Sequence, residues 1–470
     1  MARDRWTVAF LNFGSSASNQ GVSHMQGQRQ TSQRTSRREF MKHSSLLVAG
    51  GAVAGTVAGQ LDIARAAHAY GSDTIKIGLI GCGGRGTGAA VQAMNTTGGE
   101  VKLIAMADAF ADRVQASYRS IRSEHPDKVD VPKERQFVGF DAYKGVLETD
   151  VDLVILATPP GFRPLHFEAA IKAGKHVFME KPVAVDAPGV RRVLAATEEA
   201  KKKSLAVAVG LQRRHERAYM ETIAKLQEGA IGRILLTRAY WNGAGVWVRP
   251  REPNQTEMEY QMRNWYYFNW LCGDHIVEQH IHNLDVINWL MNGYPVEANG
   301  MGGRQVRTGK EYGEIYDHHF VEFTYADGSK MYSQCRHIPN TWNSVSEHAH
   351  GTEGEADISG GKIYNAKGEL VWRTDASRGG HQQEHHDLFA ALRRGDTPNE
   401  GEFGALSTMT AILGRMATYS GQKIRWEDAL KSDLKLADVD SYHSFEDTPP
   451  VLPDPDGFYA VAMPGKTKVL

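Results

Sequence analysis

A glycine-rich turn near residue 80 constrains the fold of this chain more than any other feature. The motif GCGGRG, residues 81–86, directly follows an apolar segment, residues 75–80, and precedes a helical one. Gly81 permits a tight turn, Gly83 lets the backbone approach a phosphate, and Gly86 lets the helix pack close to the sheet. Because the N–H groups at a helix start attract anions, the pattern predicts a βαβ unit that binds a dinucleotide.

An acidic residue after the second strand sharpens this prediction. Residues 100–107 are typical of that strand, and Asp108 follows it, 22 residues after Gly86. The interval is near the ~20 residues expected for an acid that bonds the ribose 2′-hydroxyl of the cofactor. Since a carboxylate repels a 2′-phosphate, the sequence predicts NAD, with NADP less favoured, although Arg113 lies close enough to moderate that preference. Gly84 and Arg85 complete the predicted phosphate-binding turn.

Strand and helix signals alternate up to about residue 209. Further strands are predicted at 151–157, 176–179 and 205–209, with a helix over 161–173. This alternation is typical of a parallel sheet with crossover helices.

Antiparallel pairing is predicted in the second half. Residues 318–325 and 330–336 flank an Asp-Gly turn and predict a hairpin. The predicted fold class is α/β, with an N-terminal Rossmann domain built on a doubly wound parallel sheet and a C-terminal α/β domain with a largely antiparallel open sheet. The predicted segments are a leader at 1–69, an NAD-binding domain at 73–203, a substrate-binding domain at 204–440 and an irregular tail at 441–470.

The leader predicts export. Its motif SRREFMK, residues 36–42, precedes a Gly/Ala-rich run at 46–58 and resembles a twin-arginine export signal. The run falls short of the ~20 strongly apolar residues of a spanning helix, so no stable membrane anchor is expected. We expect cleavage near Ala69 and a periplasmic or otherwise exported protein.

Composition argues against several other classes of protein. Lys and Arg number 54 against 55 Asp and Glu, a formal net charge of -1, and no basic cluster indicates a nucleic-acid partner. The 3 cysteines are widely spaced and predict neither a disulfide framework nor a zinc site. His280 and His282 would point about 200° apart on a helix, so no metal is predicted from them.

The motif Glu180-Lys181-Pro182 follows a predicted strand and resembles the Gfo/Idh/MocA family, the glucose–fructose oxidoreductase and inositol dehydrogenase group. The resemblance runs from about residue 74 to the helix after residue 404. In that family the lysine of this motif lies beside the nicotinamide ring and the substrate, which implies a catalytic and cofactor-binding role for Lys181. It also implies cofactor-binding roles for Thr158, Pro159, His166 and Glu180.

A second family motif, D-x-x-x-H-x-x-D, matches Glu278, His282 and Asp285, with Glu in place of the first Asp. The resemblance implies that His282 is catalytic, that Glu278 orients it or binds a hydroxyl, and that Asp285 contacts the substrate. From the residues alone, one helix is predicted between an Asp274 N-cap and a stop at Gly293, and it places these three side chains on one face.

Two further segments are candidates for substrate binding. Trp265 and Tyr266 belong to an aromatic run, residues 264–270, that suits either stacking on sugar rings or packing in the core. Gln212 and Arg213 resemble the family's segment that reaches the cleft, although a surface turn explains them equally well.

The family resemblance implies oxidation of a secondary hydroxyl of a sugar, polyol or glycoside, with His282 or Lys181 handling the proton. One alternative is an NAD-dependent glycosidase that works by transient oxidation and elimination, which export favours because free NAD is scarce outside the cytoplasm. Another is a non-catalytic sugar-binding or regulatory protein, against which Lys181 and His282 argue. A homo-oligomer is expected.

Overall fold

The computed structural model describes residues 74–470. The predicted leader, with its twin-arginine motif and cleavage site, lies outside these residues. Within the described part of the chain, no helix is both long enough and apolar enough to cross a bilayer.

The first sheet has six strands, all parallel, in the order β3-β2-β1-β4-β5-β6. The strands are β1 (Thr74–Ile80), β2 (Glu100–Asp108), β3 (Gln136–Val138), β4 (Leu153–Leu156), β5 (His176–Met179) and β6 (Val207–Val209). The strand order reverses between β1 and β4, and such a switch point opens a crevice at the carboxyl ends of the strands. The predicted doubly wound parallel sheet is confirmed.

Five helices cover this sheet, and all are amphipathic or buried against it. They are α1 (Gly84–Met94), α2 (Ala111–Glu124), α3 (Ala142–Glu148), α4 (Arg163–Lys172) and α5 (Ala187–Lys202). The predicted helix over 161–173 corresponds to α4, which a short 3₁₀ turn precedes. Every residue of β4 is buried, as a strand covered on both faces requires.

The second sheet has nine strands in the order β14-β13-β12-β11-β7-β10-β9-β8-β15. The strands are β7 (Ile234–Gly243), β8 (Glu297–Gly303), β9 (His318–Thr324), β10 (Lys330–His337), β11 (Ser344–Gly351), β12 (Gly354–Asp357), β13 (Lys362–Asn365), β14 (Leu370–Arg373) and β15 (Ile424–Arg425). Only β7 and β10 pair in parallel. The predicted hairpin forms from β9 and β10, so the largely antiparallel sheet is confirmed.

Eight helices accompany the second sheet or return to the first. They are α6 (Arg217–Gln227), α7 (Glu257–Arg263), α8 (Asn269–Cys272), α9 (His275–Glu278), α10 (Ile281–Met291), α11 (Gly380–Arg394), α12 (Gly401–Ser420) and α13 (Trp426–Lys431). The nearly fully buried helix α12 packs on both α5 and β8. The guanidinium of Arg415 donates to the carbonyls of Gly273, at 3.0 Å, and Val185, at 2.8 Å, and so joins the two domains.

The chain returns to the first domain late in the sequence. Strand β6 pairs with β5, so the first sheet extends past residue 203, where the boundary was drawn. Helix α11 packs on α1, with the Gln382 side chain donating to the Gln92 carbonyl at 2.9 Å. Residues 442–470 form no helix or strand, and Tyr459 and Val469 among them are buried.

Candidate active site

The glycine turn has the geometry that a dinucleotide phosphate needs. Gly81 has φ +103°, and a Cβ there would meet the backbone N of Thr158 at 2.5 Å. A Cβ on Gly86 would meet the Gly81 carbonyl at 1.9 Å, so both positions require glycine. A Cβ on Gly83, the N-cap of α1, would contact nothing within 4 Å, and no side chain caps the helix. The first N–H groups of α1 therefore face open space that can hold an anion.

A cavity of about 490 Å³ lies at this turn. The structure brings eight of the predicted cofactor-binding residues together in its wall: Gly81, Gly83, Gly84, Arg85, Asp108, Thr158, Pro159 and His166. Its volume is in the range of ligand pockets. The other three lie outside the cavity wall: Gly86 packs beneath the turn, Glu180 contacts Arg85, and Lys181 contacts Glu278.

Asp108 is fixed in the position that a ribose-binding acid needs. Its Oδ2 accepts a hydrogen bond from the backbone N of Cys82 at 2.7 Å, and its Oδ1 accepts one from the backbone N of Phe110 at 3.0 Å. Burial raises the pKa of this carboxyl group, while the two backbone N–H groups and Arg113 oppose the rise. Each carboxylate oxygen keeps a lone pair that can accept a hydrogen bond from a ribose hydroxyl.

His166 is a neutral member of the cavity wall. Its Nδ1 lies 3.0 Å from Oγ1 of Thr158, and its ring contacts that of Tyr143 with centroids 4.5 Å apart. Burial, reinforced by Arg163 and Arg192, lowers the pKa of His166 to about 3. The imidazole therefore contributes hydrogen bonds and no charge at neutral pH.

Glu180 and Lys181 connect the glycine turn with the second domain. The carboxylate of Glu180 lies 2.7 Å from Nε of Arg85 in the turn. Nζ of Lys181 donates to the backbone carbonyl of Glu278 at 2.6 Å and lies 3.1 Å from its Oε1. A lysine of the first domain and a carboxylate of the second therefore meet in a largely buried pair.

The predicted single helix from Asp274 to Gly293 is wrong in its middle. It divides into α9 and α10, with Gln279 and His280 between them. Both intervening side chains bind partners outside the helix: Gln279 accepts from the Tyr266 hydroxyl at 2.9 Å, and Nε2 of His280 lies 2.7 Å from the Ser333 hydroxyl. Asp274 caps α9 as predicted, while Asn292, at φ 48°, ends α10 in place of Gly293.

This break corrects the role expected for Glu278. Because residues 278 and 282 lie on different helices, the i, i+4 relationship is lost, and the Glu278 carboxylate pairs with Lys181. His282 packs instead on the Trp241 ring, with centroids 6.0 Å apart and planes 23° apart. The suggested orientation of His282 by Glu278 is therefore not what the geometry shows.

His282 is a buried, neutral imidazole. Burial lowers the pKa of His282 well below its usual 6.5, and the charges of Lys181 and Arg213 lower it further. Its Nδ1 has no hydrogen-bond partner among residues 74–470. A neutral imidazole next to an ammonium group is in the protonation state that a general base requires.

Asp285 is occupied by protein partners, which corrects its predicted contact with the substrate. The Arg214 guanidinium binds its two oxygens at 2.9 and 2.8 Å, and the Ser407 hydroxyl donates to Oδ1 at 2.7 Å. Asp285 is only 1% exposed, so this bidentate pair is part of the core.

Gln212 and Arg213 are buried, so the alternative of a surface turn is excluded. Arg213 forms an ion pair with the fully buried Glu347, and its guanidinium lies 6.0 Å from the Trp241 ring. Arg213 and His282 thus lie at the same Trp241 ring.

In the aromatic run Tyr266 fits the packing explanation, and stacking of Trp265 on a sugar ring stays a prediction. Trp265 lines the cavity, whereas Tyr266 is 3% exposed and packs in the core. Trp247 makes edge-to-face contacts with both rings, at 5.8 and 6.1 Å, and also lines the cavity.

Several cavity residues were not identified from the sequence. They are Phe110, Phe140, Tyr143, Phe162, Arg249, Met262 and Arg263. Phe110 could have been suspected from its position two residues after Asp108. Arg249, Met262 and Arg263 carry no comparable signal, since they come from the second domain.

One group of potential metal ligands occurs among the described residues: Asp274, His275 and His319, whose ligand atoms lie within 4.8 Å of one another. The Asp274 carboxylate already accepts hydrogen bonds from the backbone N–H groups of His275 and Tyr316 and from the Tyr419 hydroxyl. We therefore interpret the group as a buried hydrogen-bond network, and the absence of a metal stays a prediction.

Comparison with protein families identifies both domains. The model described as the Gfo/Idh/MocA oxidoreductase family, NAD-binding Rossmann fold, matches residues 75–210, and that of the Gfo/Idh/MocA C-terminal domain matches residues 219–357. Together they cover more than half of the chain. The chain belongs to the Gfo/Idh/MocA family of oxidoreductases. Its first domain is accordingly an NAD-binding Rossmann domain.

Curated relatives of this Gfo/Idh/MocA protein include inositol 2-dehydrogenases. That of Salmonella typhimurium is 28% identical over 220 residues, which is 47% of this chain and 55% of the relative. That of Gluconacetobacter diazotrophicus is 30% identical over 226 residues, 48% of this chain and 57% of the relative. The chain thus spans little more than half the length of the curated relatives it matches.

Solved structures share the fold. An aldose-aldose oxidoreductase from Caulobacter crescentus, complexed with glycerol, aligns with TM-score 0.59 at 18% identity over 75% of this chain and 99% of that one. A scyllo-inositol dehydrogenase from Lactobacillus casei with bound NAD(H) and scyllo-inositol aligns with TM-score 0.57 at 20% identity over the same shares. A levoglucosan dehydrogenase in complex with NADH and levoglucosan aligns with TM-score 0.57 at 17% identity, again over 75% and 99%.

Proposed function

We propose that this protein is an NAD-dependent oxidoreductase that oxidises a secondary hydroxyl of a cyclic sugar or polyol. The pairing of Lys181 with Glu278 across the domain boundary, close to the neutral His282, carries this proposal. The inositol 2-dehydrogenases and the levoglucosan dehydrogenase that the chain resembles support a cyclic polyhydroxy substrate.

The residues divide the chemistry between proton transfer and charge stabilisation. When bound, NAD supplies the hydride acceptor. His282 takes the hydroxyl proton, because burial and the neighbouring Lys181 keep its imidazole neutral. The ammonium group of Lys181, held by Glu278, stabilises the oxygen as negative charge develops on it. Trp241 restricts the orientation of the His282 ring.

A redox-assisted glycosidase is the second candidate. In that reaction transient oxidation acidifies a neighbouring C–H bond, elimination expels the aglycone, and the nicotinamide returns to its starting state. Residues of the second domain line the outer side of the cofactor cavity. This favours the glycosidase, because a cofactor that is regenerated in each catalytic cycle does not need to exchange with solvent.

One experiment separates these candidates. The purified protein is denatured and analysed by mass spectrometry for NAD(H), and the intact protein is then offered a panel of inositols, aldoses and aryl glycosides. Accumulation of NADH supports the dehydrogenase, and aglycone release without net NADH supports the glycosidase. A protein that neither contains nor binds NAD(H) would contradict both.

Export is part of the proposal and rests on the SRREFMK motif, residues 36–42. Replacing Arg37 and Arg38 with Lys should leave the protein in the cytoplasm. An unchanged periplasmic yield in cell fractionation would contradict export.

We also propose a homo-oligomer. Large apolar side chains remain exposed on the second sheet and the loop beside it, among them Met301 at 73% and Trp342 at 62%. Exposed large apolar side chains on one sheet favour an interaction surface there. Sedimentation at micromolar concentration tests this, and a monomer there would contradict it.

A further inference from the structure

The cofactor cavity has an outer wall that the second domain supplies. Trp247, Arg249, Met262, Arg263 and Trp265 line the cavity opposite the glycine turn. A ligand on the Rossmann sheet would therefore contact both domains.

Arg263 fastens this wall to the first domain. Its guanidinium lies 3.2 Å from the Asp112 carboxylate in α2 and 4.1 Å from the centroid of the Phe110 ring. It also pairs with Glu259 of its own helix, at 3.0 Å. The wall is therefore attached just beyond Asp108, at the position expected for the adenosine ribose.

Two arginines in the cavity suit an anionic ligand. Arg113 and Arg249 both line it, and among residues 74–470 neither guanidinium lies within ion-pair distance of a carboxylate, although Arg113 interacts electrostatically with Asp108 and Asp112. Arg249 lies 5.4 Å from the Trp247 ring. Unpaired guanidinium groups favour a ligand with phosphates, as a dinucleotide has.

The C-terminal segment lies behind the aromatic side of the cavity. The Phe445 ring stacks on Phe110 at 4.9 Å and meets the edge of Phe140 at 5.2 Å, and both of these rings line the cavity. The Phe445 carbonyl accepts a hydrogen bond from the Thr256 hydroxyl of the second domain at 2.6 Å. One residue of the tail thus contacts both domains.

A second anchor holds the same segment on the first domain. The Arg192 guanidinium of α5 binds the Asp440 carboxylate at 2.8 and 2.9 Å. The Arg192–Asp440 pair and the contacts of Phe445 together hold residues 440–445 in place where the two domains meet. Contacts at both ends of the segment thus connect α5 of the first domain with Thr256 of the second.

We infer that residues 440–445 hold the outer wall closed over the dinucleotide, so that the cofactor leaves only when this segment detaches. The inference rests on the assignment of the cavity to NAD in the proposed function. It adds a consequence for cofactor exchange: NADH is released slowly, and the rate of its release depends on the contacts of residues 440–445.

The rate of NADH release tests the inference. The full-length protein is loaded with NADH and mixed with a large excess of NAD, and the loss of bound NADH fluorescence is followed. Phe445→Ala should release NADH at least about tenfold faster than the unaltered protein, as loss of its aromatic contacts implies. Phe458→Ala is the matched control, because this phenylalanine of the same tail is 42% exposed and packs on Lys310 away from the cavity.

Equal release rates in all three proteins would overturn the inference. Should Phe445→Ala fail to fold, Phe445→Leu fills most of the space, and an unchanged release rate there would overturn the inference equally. Failure of the unaltered protein to bind NADH is a different result, since it would overturn the proposed function itself.

Discussion

Nζ of Lys181 lies 2.6 Å from the backbone carbonyl of Glu278 and 3.1 Å from its Oε1, so the second domain positions the lysine that the first domain contributes. Glu has one more methylene group than the Asp of the family motif, and this extra length brings the Glu278 carboxylate to Nζ of Lys181. The Lys181 ammonium is thereby fixed before any substrate arrives.

Removing the charge of Glu278 should weaken this positioning without abolishing it. In Glu278→Gln the carbonyl contact survives and the charged contact is lost, so we expect turnover to fall about 10- to 100-fold. Steady-state kinetics with the best substrate measures the change. Glu322→Gln is the matched control, because Glu322 pairs with Lys330 at 3.0 Å, outside the cleft. Equal losses in the two variants would contradict the role of Glu278.

His282 should be required for the chemical step and dispensable for cofactor binding. We expect His282→Ala to slow hydride transfer by the ~10²–10⁴-fold typical of losing a general base, with NAD affinity nearly intact. Single-turnover NADH absorbance with a deuterated substrate isolates this step. Hydride transfer at the full rate in His282→Ala would show that Lys181, and not His282, acts as the general base.

The pH dependence of that step follows from the lowered pKa of His282. Since burial keeps the imidazole neutral in the folded protein, the rate should stay level as the pH drops through 6.5, the usual His pKa, and decline only at lower pH. A rate that halves near pH 6.5 would show that His282 titrates normally.

Cofactor preference should depend on Asp108. Asp108→Ser removes the carboxylate that would repel a 2′-phosphate, and the nearby Arg113 then favours NADP. The ratio of the affinity for NAD to the affinity for NADP should therefore fall about tenfold or more. Calorimetric titration with both cofactors measures this. Asp130→Ser, which breaks an exposed pair with Arg135 at 3.3 Å in the same domain, should leave the preference unchanged. Equal affinity of the unaltered protein for both cofactors would refute the role of Asp108.

Breaking the buried Arg214–Asp285 pair should cost stability. Asp285→Asn leaves the guanidinium without its charge partner, and we expect the free energy of unfolding to fall by about 3–5 kcal/mol. Urea denaturation measures it. If the variant kept full stability and instead raised the substrate KM, Asp285 would be a substrate ligand after all.

The protein should lose stability in acid because several histidines are buried in the neutral form. Burial lowers the pKa of His166, His280 and His337 to about 3 and that of His176 to about 4. Below pH 6.5 the unfolded chain binds protons that the folded chain does not, so each group costs up to about 1.4 kcal/mol per pH unit until its folded pKa is reached.

Urea midpoints at pH 7.5 and pH 5 measure this loss. His176→Asn is the matched comparison, because Asn can still accept the hydrogen bond that Nδ1 of His176 accepts from the Ala206 N–H at 2.9 Å. The variant should lose less stability on acidification than the unaltered protein. An identical loss of stability in the variant and the unaltered protein would show that His176 does not contribute to the acid sensitivity.

The sequence by itself determined the features that rest on neighbouring residues. The glycine turn, the strand before it and the interval to Asp108 follow from backbone sterics and the length of one βαβ unit. The β9–β10 hairpin follows equally from alternating side chains around an Asp-Gly turn. The motifs at Lys181 and His282 carried the family resemblance.

Only the tertiary structure decided which partners the buried polar groups take. The break at Gln279 and His280 arises because their side chains bind Tyr266 and Ser333 on other elements. Glu278 pairs with a residue 97 positions away. Periodicity along one helix carries no information about such distant donors.

The outer wall of the cofactor site was decided in the same way. Arg249 lines the cavity from the second domain, and Phe445 of the tail packs behind the cavity residue Phe110, through contacts between segments far apart in the chain. A buried or enclosed group must find its partners in three dimensions, and nothing in the local pattern around either residue says which segment will supply them.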